Sequence, residues 1–88
     1  MYLEQQKKWV EEVGLKIGDK VLIVGTATDE QGGWDNSWAN DMDEMVGLVG
    51  TVGDAEKESG GKYKPEWGIL VNTDGTYWYY PFFVLVKV

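Results

Sequence analysis

The stretch that decides the fold is Thr76-Tyr77-Trp78-Tyr79-Tyr80-Pro81-Phe82-Phe83-Val84-Leu85-Val86-Lys87-Val88. A run of aromatics meets a proline, two more aromatics follow, and a short apolar alternation ends it. Tyr, Trp, Phe and Val suit a pleated surface that is buried on one side. Pro81 has a fixed φ and no N–H, so strand pairing must stop there. A strand, a proline, one tight 3₁₀ turn and a last short strand form the closing element of a small β-barrel.

Working backwards, Asn72-Thr73-Asp74-Gly75 reads as a tight hairpin turn, because Asp-Gly tolerates the left-handed backbone that two-residue hairpins need. Trp67-Gly68-Ile69-Leu70-Val71 precedes it as a strand, and a polar loop over 55–64 precedes that. The strand over 46–54 contains Gly47, Gly50 and Gly53, a density that signals a bulge or a sharp bend. Val21-Leu22-Ile23-Val24 is a continuous apolar run of the kind found in buried strands. The expected strands are therefore 20–25, 46–54, 66–72, 76–80 and 84–88, all antiparallel.

Residues 2–13 have helical periodicity. Leu3, Gln6, Val10 and Val13 share a face, with Trp9 beside them. Lys7–Glu11 and Lys8–Glu12 are spaced to pair on the outer side. Gly14 stands where a C′ glycine ends a helix, and Leu15 follows as the apolar contact. A helix this short is marginal alone, so its Leu3/Trp9/Val10/Val13 stripe should dock on the sheet. The expectation is one mainly β domain over 1–88, with a helix in 1–14 and a five-stranded barrel in 16–88.

Composition narrows the function. The chain has 88 residues, a net charge of −7, and no cysteine, histidine or arginine. That removes disulfides, thiolate and imidazole metal ligands, and the commonest general base. Nucleic-acid binding needs a basic stripe, and an anionic membrane surface is disfavoured on the same ground. No run is apolar and long enough to span a bilayer or to serve as a signal peptide. The chain is expected to be soluble and cytoplasmic. The Gly47/Gly50/Gly53 string lies within a strand, unlike a phosphate-binding glycine loop, which leads into a helix.

Residues 25–45 carry no strand pattern, and a loop of that length in a small domain is commonly functional. It holds Gly32-Gly33-Trp34, Trp38 and six acids: Asp29, Glu30, Asp35, Asp41, Asp43 and Glu44. Leaving two tryptophans in water is costly. Either Trp34 folds back as a lid on the barrel mouth, or Trp34 and Trp38 wall a groove against Tyr77 and Tyr79, as at peptide sites. The acids lack the spacing of a calcium loop, and no cofactor or metal is expected. Residues 29–58 hold nine acids and one lysine, a formal −8, while the rest is near neutral. Such a polarised field steers a basic partner. The candidate contact residues are Trp34, Asp35, Trp38, Asp41, Asp43, Glu44, Tyr77 and Tyr79. The expected function is a non-enzymatic binding module for a protein with a basic patch. The alternatives are an acidic decoy for a nucleic-acid-binding protein and a structural component of an assembly.

One ordered set of motifs resembles mind bomb repeat domains. The set is Gly18-Asp19-Lys20-Val21, Gly32-Gly33-Trp34, Met42 or Met45, Gly47-Leu48-Val49-Gly50-Thr51-Val52, Asp74-Gly75 and Tyr77-Trp78-Tyr79-Tyr80-Pro81. The resemblance covers 18–88 and implies an SH3-like barrel. Between Trp34 and Gly47 this chain is longer than those repeats, and Tyr77 stands where they carry tryptophan. The tryptophan-rich acidic loop and the Tyr80-Pro81-Phe82-Phe83-Val84-Leu85 ending are also similar to small uncharacterised proteins of tailed bacteriophages. That similarity implies a phage-encoded accessory protein acting in the host cytoplasm.

Overall fold

A computed structural model describes residues 1–34, 36–53 and 68–88. Asp74 and Gly75 take φ values of 53° and 87°, the left-handed pair that a two-residue hairpin requires. The Asn72 side chain fixes the turn, its Oδ1 accepting the Gly75 N–H at 2.9 Å. β3 (Ile69–Thr73) and β4 (Thr76–Tyr80) zip from this turn, from Thr73 opposite Thr76 to Ile69 opposite Tyr80. Pro81 ends β4, Phe82–Val84 makes a 3₁₀ turn, and β5 (Leu85–Lys87) returns to pair with β1 (Lys20–Ile23). With β2 (Val49–Val52) between β1 and β3, the sheet order is β4-β3-β2-β1-β5 and every neighbouring pair is antiparallel. The fold is a five-stranded antiparallel sheet with an N-terminal helix. Among the described residues its edges, β4 and β5, do not pair with each other, where the sequence predicts closure into a barrel.

The second strand starts later than its sequence suggested. Gly47, at φ 90°, donates its N–H to the Ile23 carbonyl at 2.7 Å. The Ile23 N–H donates to the Leu48 carbonyl at 3.1 Å. Two residues thus face one, which is a bulge. Further along, Gly50 is crossed closely by β3. A Cβ there would overlap Val71 Cγ1 and sit 3.0 Å from the Asn72 carbonyl oxygen. The polar loop expected at 55–64, and the lead-in to the third strand through Trp67, lie outside the described residues.

Strand alternation directs Val21, Ile23, Val52, Ile69, Val71, Tyr80 and Leu85 into one core with Tyr2, Ala27, Trp34, Met42 and Val84. Burial raises the Tyr80 phenol, and the neighbouring Thr73 hydroxyl offsets this in part. The two hydroxyls lie close but outside good hydrogen-bond geometry.

The helix α1 (Tyr2–Val13) ends where its sequence says. Gly14 is left-handed, its N–H donates to Glu11, and the Leu15 N–H reaches back to Val10. These are the paired bonds of a Schellman motif. The expected stripe docks in part, with the deepest burial displaced to Tyr2 and Gln6. Leu3, Trp9 and Val10 pack partly against the core, and Val13 stays half-exposed. The Tyr2 hydroxyl explains why a glutamine can go inside. It donates to Gln6 Oε1 at 2.5 Å and accepts the Phe82 N–H at 3.2 Å. The Tyr2 ring packs on Phe82 and Phe83, and Trp9 packs on Phe82. At the far end, Lys87 Nζ donates to the Val13 and Gly14 carbonyls, both at 3.2 Å, which places a cation at the helix C-terminus. Lys87 also pairs with Asp19 at 3.4 Å. The Lys16 N–H and then Lys87 hold the Asp19 carboxyl below its usual range.

Tyr2→Phe should leave the Phe82 N–H and the Gln6 carbonyl short of a partner and cost about 1–3 kcal/mol in chemical denaturation. Burial pushes the Tyr2 phenol well above its ordinary value of 10.0, with the Phe82 bond pulling back only partly. An unfolded chain would ionise this tyrosine near pH 10 while the folded one keeps it neutral. Stability is therefore intact below about pH 10 and falls as pH rises above it. Tyr2→Phe should flatten that alkaline fall when denaturation midpoints are followed with pH. Among the described residues no helix is long and apolar enough to cross a membrane.

Candidate functional site

The excursion between β1 and β2 is an ordered loop pinned at two points. Thr28 and Gln31 close a turn through the Gln31 N–H to the Thr28 carbonyl at 3.2 Å, and the Gln31 side chain accepts the Thr28 N–H at 3.2 Å. A 3₁₀ turn over Gln31–Gly33 then drops Trp34 into the core, where it is 0 % exposed. A second 3₁₀ stretch, Asn40–Met45, buries Met42 in the same core. Trp34 and Met42 hold the segment down, while Asp29, Glu30, Asp41, Asp43 and Glu44 are exposed.

Trp38 lies between these pins. Its backbone N–H donates to Asp29 Oδ1 at 2.7 Å, and its indole N–H donates to Asp43 Oδ1 at 2.6 Å. The ring meets Trp34 edge-on at 6.3 Å and Tyr80 edge-on at 5.9 Å, centroid to centroid. Two carboxylates thus fix Trp38, Asp29 through its backbone and Asp43 through its half-buried indole, and two aromatics pack on the ring. The indole walls an open groove of about 430 Å³ with Ala27, Thr28, Asp29 and Glu30.

The groove is electrostatically one-sided. Residues 21–56 contain no lysine or arginine. Asp29, Glu30, Asp41, Asp43 and Glu44 are exposed. The ion pairs among the described residues are Lys8–Glu12 and Lys87–Asp19, and neither involves a loop acid. Among the described residues no three acids converge as metal ligands. An aromatic wall beside carboxylates that have no ion pair among the described residues is suited to receive positive charge.

The candidate contact residues separate on this framework. Trp38 and Asp43 are brought together by a hydrogen bond, and Asp41 and Glu44 are exposed on the same 3₁₀ stretch as Asp43. Trp34 is core, the lid reading rather than the anchor reading, and presents no surface to a partner. Asp35 lies outside the described residues. Tyr77 and Tyr79 do not build the expected groove with the loop. Trp78 and Tyr80 pack on the core, so strand alternation sends Tyr77 and Tyr79 to the other face of β4. There Tyr77 is 57 % exposed, and it lies against Leu70 beside Gly53. The residues that sequence reading left out of the site are Asp29 and Glu30. Asp29 acts on Trp38 across a chain separation of nine, and no helical or strand period marks that spacing.

Comparison with protein-family models, curated proteins and solved structures found no match.

Proposed function

We propose that this chain is a non-enzymatic protein-binding module that receives a basic partner on the acidic, tryptophan-bearing face of residues 25–45. One observation carries the reading. A fixed, half-buried Trp38 lines a groove with Asp29 and Glu30 and is bonded to Asp43, in a loop whose five described acids are exposed and have no ion-pair partner among the described residues. Desolvated aromatics anchor interfaces, and surrounding charge governs the rate of encounter. The absence of histidine, cysteine and arginine from the sequence is the ground for reading the module as non-enzymatic.

The scaffold we infer is an SH3-like barrel. The β4-β3-β2-β1-β5 meander and the 3₁₀ turn between β4 and β5 support it. The phage-encoded setting in a host cytoplasm rests on the sequence similarity alone.

The test is association rate against salt. Binding to a partner captured from a host lysate should slow as salt rises from about 0.05 to 0.5 M, because screening shortens the reach of the field. Changing Asp41, Asp43 and Glu44 together to Asn and Gln should slow it in the same way while the circular dichroism spectrum stays unchanged. An on-rate indifferent to both would reduce the acids to a solubility device. Steep salt dependence that ignores Trp38→Ala would favour the decoy.

A further inference from the structure

The geometry points to a seat for one guanidinium group, an arginine side chain of the partner, stacked on Trp38 in the groove and met by the carboxylates of Asp29 and Glu30. This rests on the binding-module reading above and specifies the group bound.

The groove has one aromatic wall, and that wall is immobilised before any ligand arrives. Asp29 Oδ1 and Asp43 Oδ1 hold the backbone and indole N–H groups of Trp38, and Trp34 and Tyr80 abut its ring edge-on. Trp38 lines the groove, and an aromatic fixed in advance receives a cation at little ordering cost. Asp29 uses Oδ1 on Trp38, so its second oxygen remains for a ligand. Glu30 lines the same groove, exposed, with no ion pair among the described residues. No lysine or arginine occurs in 21–56 to neutralise either acid. Among the described residues no lysine pairs with either acid, which leaves both able to meet a cation from another molecule. A guanidinium suits the site better than an ammonium, because it is planar, stacks on aromatic faces, is weakly hydrated, and presents several N–H donors in one plane to two acceptors.

The experiment is an NMR titration of the full chain with three probes: blocked Gly-Arg-Gly peptide, blocked Gly-Lys-Gly peptide and calcium chloride. The arginine peptide should shift the Trp38 indole N–H and the amides of 27–30 saturably, and bind about 3- to 10-fold tighter than the lysine peptide. Asp29→Asn retains an oxygen acceptor for the Trp38 N–H while removing the charge. It and Glu30→Gln should each weaken the arginine peptide by about 3- to 10-fold with the other amide positions unmoved. Trp38→Leu should abolish the saturable shifts. Equal binding of both peptides, the same shifts with calcium, or shifts spread evenly over Asp41–Glu44 without the Trp38 indole would each overturn the seat. If a basic partner still associates in a salt-dependent way under that last outcome, the seat fails and the wider binding reading stands.

Discussion

Trp34→Ala is expected to cost about 3–5 kcal/mol, the range for truncating a fully buried large aromatic. Trp34 is 0 % exposed and is among the largest enclosed side chains. Its surroundings cannot readily collapse into the space. A Cβ on Gly68 would sit 3.0 Å from Trp34 Nε1, so the backbone entering β3 lies directly against the indole. Trp38 packs T-shaped against it at 6.3 Å between ring centroids. Domains of this size have about 5–15 kcal/mol in total, so the variant should be largely unfolded at modest urea and should lose near-ultraviolet dichroism. A loss below about 1 kcal/mol would mean that 25–45 lies over the core without being part of it. The same substitution should weaken partner binding, since the Trp38 platform loses one of its two aromatic supports.

Gly50→Ala is the second large effect expected. Val71 Cγ1 could move aside, but the Asn72 carbonyl oxygen at 3.0 Å belongs to the β3 backbone and is fixed by the ladder. Overpacking of this kind costs about 1–3 kcal/mol. Gly25→Ala is the matched control. Nothing lies within 4 Å of a Cβ there, and a surface change without such contacts stays within about 0.5 kcal/mol. Urea midpoints for the two variants should differ clearly, and equal midpoints would show that β2 and β3 do not pack this closely.

What was legible in the sequence had a local cause. Asp74-Gly75, Pro81 and Gly14 act on the backbone within a few residues, so the hairpin, the end of β4 and the helix stop all read correctly. The failures share a different character. In Thr76-Tyr77-Trp78-Tyr79-Tyr80 aromatic residues occupy both faces, so alternation exists without a polar partner to mark which side is buried. Tyr2 and Gln6 are buried because one hydroxyl satisfies a side chain four residues away and a backbone group eighty residues away. Hydrophobic periodicity contains no such information. The candidate site shows the same limit. Trp38 and its acids were visible as composition, but the bond by which the Trp38 backbone N–H donates to Asp29 exists only once the loop is folded.

The helix is joined to the last part of the chain by two tethers: the Phe82 N–H to the Tyr2 hydroxyl, across 80 residues, and Lys87 to the Val13 carbonyl, across 74. Contacts of such separation raise contact order, and the entropy of closing the intervening chain is lost before they contribute. This chain should accordingly fold on the slow side for its length, in milliseconds to seconds. Helix docking would then come late. Until it does, Phe82 and Phe83 lack their cover, which makes the undocked intermediate the species most prone to stick to a second molecule.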